Sequence, residues 1–238
     1  MTTFSSTHFY TLLVIFGIGV VLIEAGRHGR SWPRALLAFI CLIIYPVNQI
    51  VLNSLDFSIP LNNILPLHLC DIVALTSGFA LLFKNTFFAE VTYCWGLAGT
   101  LQGLIFPNLG FDFPHPMFWS FFLQHGILVI VALFLPLAMN WRPREGVVWR
   151  ILFWNQVYFF AIMIVNRMLG TNFGFLAEKP SVSSPLDHLG DWPIYLIWIQ
   201  ILATVFMTAL LLPFSRTINI WRTPRFRVNP KHERSGPA

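Results

Sequence analysis

Seven long apolar runs separated by short polar joints organise the chain. Each run is long enough, at about 1.5 Å per residue, to cross a hydrocarbon core of roughly 30 Å with some tilt. The joints, such as Asn62-Asn63 and Pro107-Asn108, carry residues that favour hydrated turns over helix. The pattern predicts an all-α membrane protein, a bundle of seven transmembrane helices over residues 8–25, 34–53, 64–83, 87–106, 117–139, 147–169 and 192–214.

Composition supports a membrane protein and excludes a soluble domain. Hydrophobic residues make up 56% of the 238 positions and charged residues only 11%, whereas about a quarter of the residues in soluble proteins are charged. The first apolar run is preceded by no basic residue and followed by Glu24-Ala25-Gly26-Arg27, without a small-residue cleavage site. We therefore expect a retained span rather than a signal peptide. The expected organisation is one transmembrane domain over residues 1–215 and a basic tail over residues 216–238.

The distribution of lysine and arginine predicts the orientation. Arg167 and Lys179 fall on one side of the predicted bundle and the other basic residues fall on the opposite side, which is the side expected in the cytoplasm. The N-terminus is then outside and the C-terminus cytoplasmic, in a bacterial cytoplasmic membrane. The tail is expected to contact anionic lipid; it has no interleaved aromatic platform, so nucleic acid is not an expected partner. The basic residues assigned to the cytoplasmic side are Arg27, Arg30, Arg34, Lys84, Arg142, Arg144, Arg150, Arg216, Arg222, Arg225, Arg227, Lys231 and Arg234.

A layer of polar residues is predicted inside the outer half of the bundle. Counting from the predicted helix ends, Cys70 lies roughly 9 Å deep and His125 roughly 12 Å deep. Ionisable residues at such depths cost about 2.5–3.5 kcal/mol on insertion scales and usually face a bundle interior or a cavity. We therefore expect a polar pocket open to the outer leaflet. The other residues assigned to this layer are Asn48, Gln49, Gln102, Gln124, Asn166, Arg167 and Gln200.

Cys70 and His125 are the candidate reactive pair. A thiol becomes a nucleophile when a nearby base takes its proton, and histidine is the common partner. His68 is only two residues from Cys70 and points elsewhere on a helix, whereas His125 comes from another span at a similar depth. The alternative is structural, because a cysteine inside a membrane often behaves as a small apolar residue. From the residues alone, both roles remain open for Cys70.

Neighbouring polar residues are candidates for support of that pair. His68 and Asp71, three residues apart, can share a helix face, where Asp71 either orients a histidine or pairs with Arg167. Gln102 and Gln124 can donate hydrogen bonds to a developing oxyanion. In the alternative, purely structural interpretation, His68 and Asp71 only hold neighbouring helices together.

The remaining cysteines and glycines favour packing roles. Cys41 and Cys94 lie in apolar runs, and the three cysteines show neither CxxC spacing nor an even count, so neither a disulfide framework nor a metal site is expected. Gly96, Gly99 and Gly103 recur at near-helical spacing, which favours close approach between helices. No cofactor is predicted.

Several motifs together resemble a known family. They are Leu65-Pro66-Leu67-His68-Leu69-Cys70-Asp71, Trp95-Gly96-Leu97-Ala98-Gly99-Thr100-Leu101-Gln102, Phe121-Phe122-Leu123-Gln124-His125-Gly126, Gly170-Thr171-Asn172-Phe173-Gly174-Phe175-Leu176, Lys179-Pro180 and Leu189-Gly190-Asp191-Trp192-Pro193. Over about residues 60–200 the chain resembles the bacterial YwaF-type membrane proteins and their relative, transmembrane protein 164. The resemblance implies seven spans and a lipid acyltransferase that uses a cysteine and a histidine. Carried to this chain, those roles fall on Cys70 and His125.

The sequence therefore leads to two competing hypotheses. The first is a membrane lipid acyltransferase, transacylase or lipid hydrolase acting on phospholipid or lysophospholipid chains through Cys70 and His125. The second is a non-catalytic binder or transporter that uses the same polar layer for a small solute or a proton. The residues expected to bind substrate or support the site are His68, Asp71, Gln102, Gln124, Asn166, Arg167 and Asn172.

Overall fold

The computed structural model describes residues 3–55, 64–180 and 184–223 of the chain. The predicted joint at Asn62-Asn63 and the predicted tail beyond residue 223 lie outside the described residues. Regular structure in the described part is entirely helical. The α-helices are α1 (Ser6–Arg27), α2 (Trp32–Ser54), α3 (Leu69–Phe83), α4 (Thr86–Trp95), α5 (Leu101–Ile105), α6 (Pro116–Ala138), α7 (Val147–Leu169) and α8 (Ile194–Leu211).

Five helices in the described residues are long and apolar enough to cross a membrane. They are α1, α2, α6, α7 and the stretch Ile194–Arg216, which joins α8 to a short 3-10 helix. This confirms the prediction of an all-α membrane protein. The other two predicted spans fall on α3, which has 15 residues, and on a stretch from Thr86 to Ile105 that changes its winding. The count of seven spans and the orientation remain predictions.

The third predicted span begins later than expected, which changes the position of Cys70. Ile64 was its predicted start, but α3 begins at Leu69 with the extended residue His68 as its N-cap. Pro66 disfavours helical geometry in the residue before it and cannot donate a backbone hydrogen bond. Cys70 is therefore the second residue of its helix, in the first turn, rather than its seventh residue as the predicted start at Ile64 required.

The short turn between α3 and α4 is stabilised by local chemistry. Lys84 adopts left-handed geometry with φ of 51° and ends α3, and the Asn85 side chain then accepts hydrogen bonds from the backbone N–H groups of Phe87 and Phe88 at 2.9 and 3.3 Å. An asparagine cap of this kind satisfies donors that have no partner within the helix. Two residues between the helices are therefore enough to reverse the chain.

The stretch from Thr86 to Ile105 contains a π-helical turn. Gly96–Thr100 is wound as a π-helix between α4 and α5. Such turns insert an extra residue into a helix and often occur at functional sites. Two polar groups beside this turn, Trp95 Nε1 and Thr100 Oγ1, are buried and have no hydrogen-bond partner in the described part of the chain.

Helix α6 lies at the centre of the bundle. In its most apolar window 61% of residues are buried, compared with 17% for α1. The remaining long helices expose apolar side chains such as Phe16 of α1, Phe160 of α7 and Ile197 of α8, as expected for surfaces that face lipid. The core lies where α3 and α4 pack against α6, with Val73, Cys94, Leu128 and Val131 among its fully buried residues.

A buried ion cluster ties one end of the bundle together. Glu90 of α4 is completely buried, and its carboxylate accepts hydrogen bonds from the guanidinium groups of Arg144 at 2.8 and 3.2 Å and of Arg150 at 2.8 and 2.9 Å. The hydrogen bonds to Glu90 raise the pKa of Arg144. Arg144 lies in the segment that links α6 to α7 and Arg150 lies in the first turn of α7, so the cluster fixes this junction against α4. From the sequence alone, these two arginines contributed only to the predicted orientation.

The first residues of the predicted tail are packed rather than free. Asn219 and Ile220 accept hydrogen bonds from the backbone N–H groups of Gly146 and Val148 at the start of α7, at 2.9 and 3.3 Å. Ile220 is almost completely buried. The chain therefore stays part of the bundle beyond residue 215, which was the predicted end of the transmembrane domain.

Candidate functional site

A single large cavity collects most of the predicted polar layer. Its volume is about 980 Å³, which is at the upper end of the range for small-molecule sites. Because the helices alternate in direction, the C-terminal half of α2 and the end of the Thr86–Ile105 stretch meet the first turns of α3 and α6 there. The predicted site residues that line it are His68, Cys70, Asp71, Gln102, Gln124, His125 and Asn172.

Cys70 lies in the first turn of α3, at the wall of this cavity. The backbone N–H groups of a first helical turn have no partner within the helix and favour negative charge nearby. The Cys70 sulfur also lies 4.0 Å from Asp71 Oδ1, and a charged carboxylate at that distance opposes formation of a thiolate. Cys41 and Cys94 are buried and do not line the cavity.

His68, the N-cap of α3 two residues before Cys70, packs toward the loop between α7 and α8. Its ring centroid lies 5.2 Å from that of Phe173 and 6.3 Å from that of Phe175. Its backbone carbonyl accepts hydrogen bonds from the N–H groups of Asp71 and Ile72, which begins the helix. His68 therefore connects the entry of α3 with this loop.

His125 is held by Phe121, one turn earlier on α6. Its Nδ1 lies 2.9 Å from the Phe121 carbonyl oxygen, and the two rings stack with centroids 4.0 Å apart. A carbonyl oxygen can only accept a hydrogen bond, so Nδ1 carries the proton and the lone pair of the neutral ring lies on Nε2. Nε2 is therefore free to act as a base or an acceptor.

Two glycines bring Leu69, the neighbour of Cys70, and His125 to the same helix face. A Cβ built on Gly99 would overlap Leu69 Cδ2, and one built on Gly103 would lie 2.7 Å from His125 Cδ2 and 3.0 Å from Nε2. Residues four apart lie on one face, one helical turn from each other. Leu69, next to Cys70, and the His125 ring therefore pack on neighbouring positions of the same surface. This confirms that the glycines permit close helix approach.

Asp71 ends a directed chain of side-chain hydrogen bonds. Ser120 donates to Asn48 Oδ1, Asn48 donates to Gln124 Oε1 at 2.7 Å, and Gln124 donates to Asp71 Oδ1 at 2.8 Å. Every hydrogen bond in this chain is donated in the direction of Asp71, so the chain stabilises negative charge on its carboxylate. One N–H of Gln124, a predicted oxyanion donor, is used here.

Arg167 is exposed and does not line the cavity. Asp71 is bonded to Gln124 instead, so the predicted pairing of Asp71 with Arg167 is not formed. The reason is rotational: depth along a helix follows from the sequence, but Arg167 lies on a face of α7 that points out of the bundle.

Asn166 and Asn172 shape the loop that follows α7. Asn166 is buried; its Oδ1 accepts hydrogen bonds from the Thr171 hydroxyl and the Phe173 N–H, and its Nδ2 donates to the Phe173 carbonyl. The Asn172 side chain accepts from the N–H groups of Ala177 and Glu178. Asn166 does not line the cavity, whereas Asn172 does.

Sequence reasoning missed several lining residues. Tyr158 donates a hydrogen bond to the Leu67 carbonyl at 3.1 Å, and Asn155 donates to Gln200 Oε1 at 2.9 Å. A side-chain amide in an otherwise apolar run could have identified Asn155 as a candidate from the sequence, as it identified Gln200. Lys179, from the loop after α7, also lines the cavity. No group of three or more histidine, cysteine, aspartate and glutamate side chains within the described ranges is placed to hold a metal ion.

Comparison with known proteins gives one match. A sequence model described as the TMEM164 family matches residues 3–211. No curated protein and no solved structure matches the chain.

Proposed function

Since this chain belongs to the TMEM164 family, we propose that it is a membrane lipid acyltransferase with Cys70 as nucleophile and His125 as acid and base. The observation that carries the proposal is that both side chains line one cavity of about 980 Å³. An ester-bearing lipid fits its chemistry, because apolar side chains line the same cavity as the polar groups. The apolar lining residues from α8 are Ile199, Leu202, Ala203, Phe206 and Met207.

The reaction uses the thiol and the imidazole in two half-reactions. The Cys70 sulfur attacks the carbonyl carbon of a lipid ester while its proton passes to His125 Nε2. The carbon–oxygen bond breaks, the leaving alkoxide takes that proton, and the acyl group remains on Cys70 as a thioester. The hydroxyl of a lysolipid then attacks the thioester, with Nε2 as base, and the thiol is restored. Water in place of the lysolipid gives hydrolysis.

Asp71 shapes this chemistry through its distance from the sulfur. A carboxylate 4.0 Å from the thiol disfavours a thiolate that forms before substrate binds. The proton therefore leaves Cys70 during the attack. Donors for the developing oxyanion are the Gln102 amide, the Thr100 hydroxyl, which has no partner among the described residues, and the N–H groups of Leu69 and Cys70, which precede the first backbone hydrogen bonds of α3.

The proposed setting is a bundle of seven spans in a bacterial cytoplasmic membrane, with the N-terminus outside, the tail inside and the cavity open to the outer leaflet. The asymmetric distribution of basic residues supports this orientation. Accessibility labelling of cysteines introduced at residues 110 and 230 should label the first from outside only. Outside labelling at residue 230 would reverse the leaflet.

Trapping an acyl thioester tests the reaction. Purified protein incubated with a short-chain phosphatidylcholine should gain the mass of one acyl chain on Cys70, and hydroxylamine should remove it. Cys70→Ala should abolish the adduct, whereas Cys94→Ala, the matched control at a buried cysteine outside the cavity, should keep it. Lipid binding without an adduct in the unmodified protein would favour the non-catalytic binder.

A further inference from the structure

Lys179 is the feature that the proposed chemistry leaves unused. Among the described residues that line the cavity it is the only lysine or arginine. It lies in the loop between α7 and α8, and its side chain is only 22% exposed. A cation that lines an apolar cavity is costly unless it has an anionic partner.

The described residues supply only part of that partner. The Lys179 ammonium lies 3.8 Å from Asp191 Oδ1 and 5.7 Å from the centroid of the Tyr195 ring. The Asp191 side chain is fully exposed, and 3.8 Å is too long for a charge-assisted hydrogen bond. The ring and the distant carboxylate position the ammonium, but its donors remain available to a ligand.

The loop backbone holds Lys179 in this position. Asn172 accepts hydrogen bonds from the N–H groups of Ala177 and Glu178 at 3.0 and 3.1 Å, and it donates to the Glu178 carbonyl at 2.9 Å. Asn172 therefore clamps the backbone immediately before Lys179. Fixing the backbone in advance removes the backbone's share of the ordering cost when the side chain binds a ligand.

Residues at the start of α8 complete this frame. The Tyr195 hydroxyl donates to the Phe175 carbonyl at 2.8 Å, and Trp192 Nε1 donates to the Leu176 carbonyl at 3.2 Å. The same Tyr195 thus holds the loop with its hydroxyl and faces the Lys179 ammonium with its ring. Side chains from both ends of the loop therefore hold it in the conformation that places Lys179 at the cavity.

We propose that Lys179 binds the phosphate of the phospholipid whose acyl chain reaches Cys70. This inference rests on the proposed function and names the head-group contact of the same site. Phosphate is the anionic group that every phospholipid carries next to its glycerol esters, so a cation in the same cavity as the thiol suits it. Glu178 also lines the cavity, so the loop presents one acidic and one basic side chain there. This combination suits a zwitterionic phospholipid, whose head group carries both charges.

Binding measurements on a non-reactive protein test the proposal. The Cys70→Ala chain in neutral detergent would be titrated calorimetrically with dihexanoyl-phosphatidylcholine and, separately, with dihexanoyl-glycerol, which lacks the phosphate. Lys179→Gln should weaken phosphatidylcholine binding by about ten- to hundredfold, the usual effect of losing a charged hydrogen bond. It should leave dihexanoyl-glycerol binding within about twofold. Lys179→Arg should bind phosphatidylcholine within about threefold of Lys179.

A matched control and a competitor complete the design. Lys84→Gln makes the same substitution at an exposed turn outside the cavity and should change neither affinity. An equal loss for both lipids, or no loss, in Lys179→Gln would overturn the proposal. Displacement of the lipid by millimolar inorganic phosphate would assign Lys179 to soluble phosphate and overturn the head-group site. The binding measurements use the Cys70→Ala variant, which cannot form a thioester. They can therefore succeed when the thioester experiment fails, and they can fail when that experiment succeeds.

Discussion

Adding one methyl group at Gly103 tests whether His125 acts from the position it occupies beside the Thr86–Ile105 stretch. A Cβ at Gly103 would lie 2.7 Å from His125 Cδ2 and 3.0 Å from Nε2, whereas ordinary contacts begin at 3.4 Å. The edge of the ring must therefore retreat by about 0.7 Å or more. It can do so only by loosening the hydrogen bond from Nδ1 to the Phe121 carbonyl or the stack on the Phe121 ring.

The expected effect on catalysis is large and the effect on folding is small. A displacement of about 1 Å in a reacting group costs about a hundredfold in rate, so Gly103→Ala should lower kcat by about ten- to hundredfold. KM should change by less than about threefold, because the rest of the cavity is unchanged. Alanine gains about 1 kcal/mol over glycine in a helix, which partly offsets about 1–3 kcal/mol of overpacking.

The assay is transfer of a short acyl chain from phosphatidylcholine to a lysolipid by the purified protein, with thermal unfolding followed in parallel. Gly17→Ala is the matched control, because Gly17 is also helical and a Cβ there would meet nothing within 4 Å. Wild-type turnover in Gly103→Ala would refute the role of His125. A lowered kcat accompanied by a collapse of the melting transition would show a packing defect, which the control separates from a displaced base.

Three further predictions address single residues. Cys70→Ser should keep the fold and lower turnover by at least about three orders of magnitude, and adding His125→Ala should cost little more, because the two act as one unit; additive losses would contradict this. Arg167→Lys should keep full transfer activity, since the side chain is exposed and outside the cavity; a loss would restore the predicted role in binding lipid. Glu90→Gln should lower the free energy of unfolding by about 3 kcal/mol, because two guanidinium groups lose their carboxylate. Denaturant titration measures this change, and an unchanged unfolding midpoint would refute a stabilising cluster.

The sequence predicted those features that depend on position along a helix. Apolar runs located the helices to within a few residues, and counting along them assigned Gln102, Gln124 and His125 to one layer. Rotation about a helix axis was not predictable, because it depends on which neighbours pack against each face. For that reason Arg167 was expected inside the site, and Gln124 was not among the partners considered for Asp71.

Loop geometry was the other limit. Lys179 lies in a polar segment without periodicity, and only the fold shows that this segment turns back to line the cavity. The start of α3 also depended on a local competition: apolar character extended to Ile64, but Pro66 and the extended His68 delayed the helix to Leu69. A stricter weighting of proline would have placed Cys70 in the first turn of its helix.

The buried Glu90 cluster has a consequence for how the chain enters the membrane. Glu90 lies about 6 Å along its helix from Thr86, and its partners Arg144 and Arg150 follow 54 and 60 residues later. During synthesis Glu90 is therefore made well before either guanidinium that pairs with it. A buried carboxylate without a cationic partner is costly, and Glu90 is completely buried in the finished bundle. The Thr86–Ile105 stretch can therefore take its final position only after the start of α7 has been made, although it comes earlier in the chain.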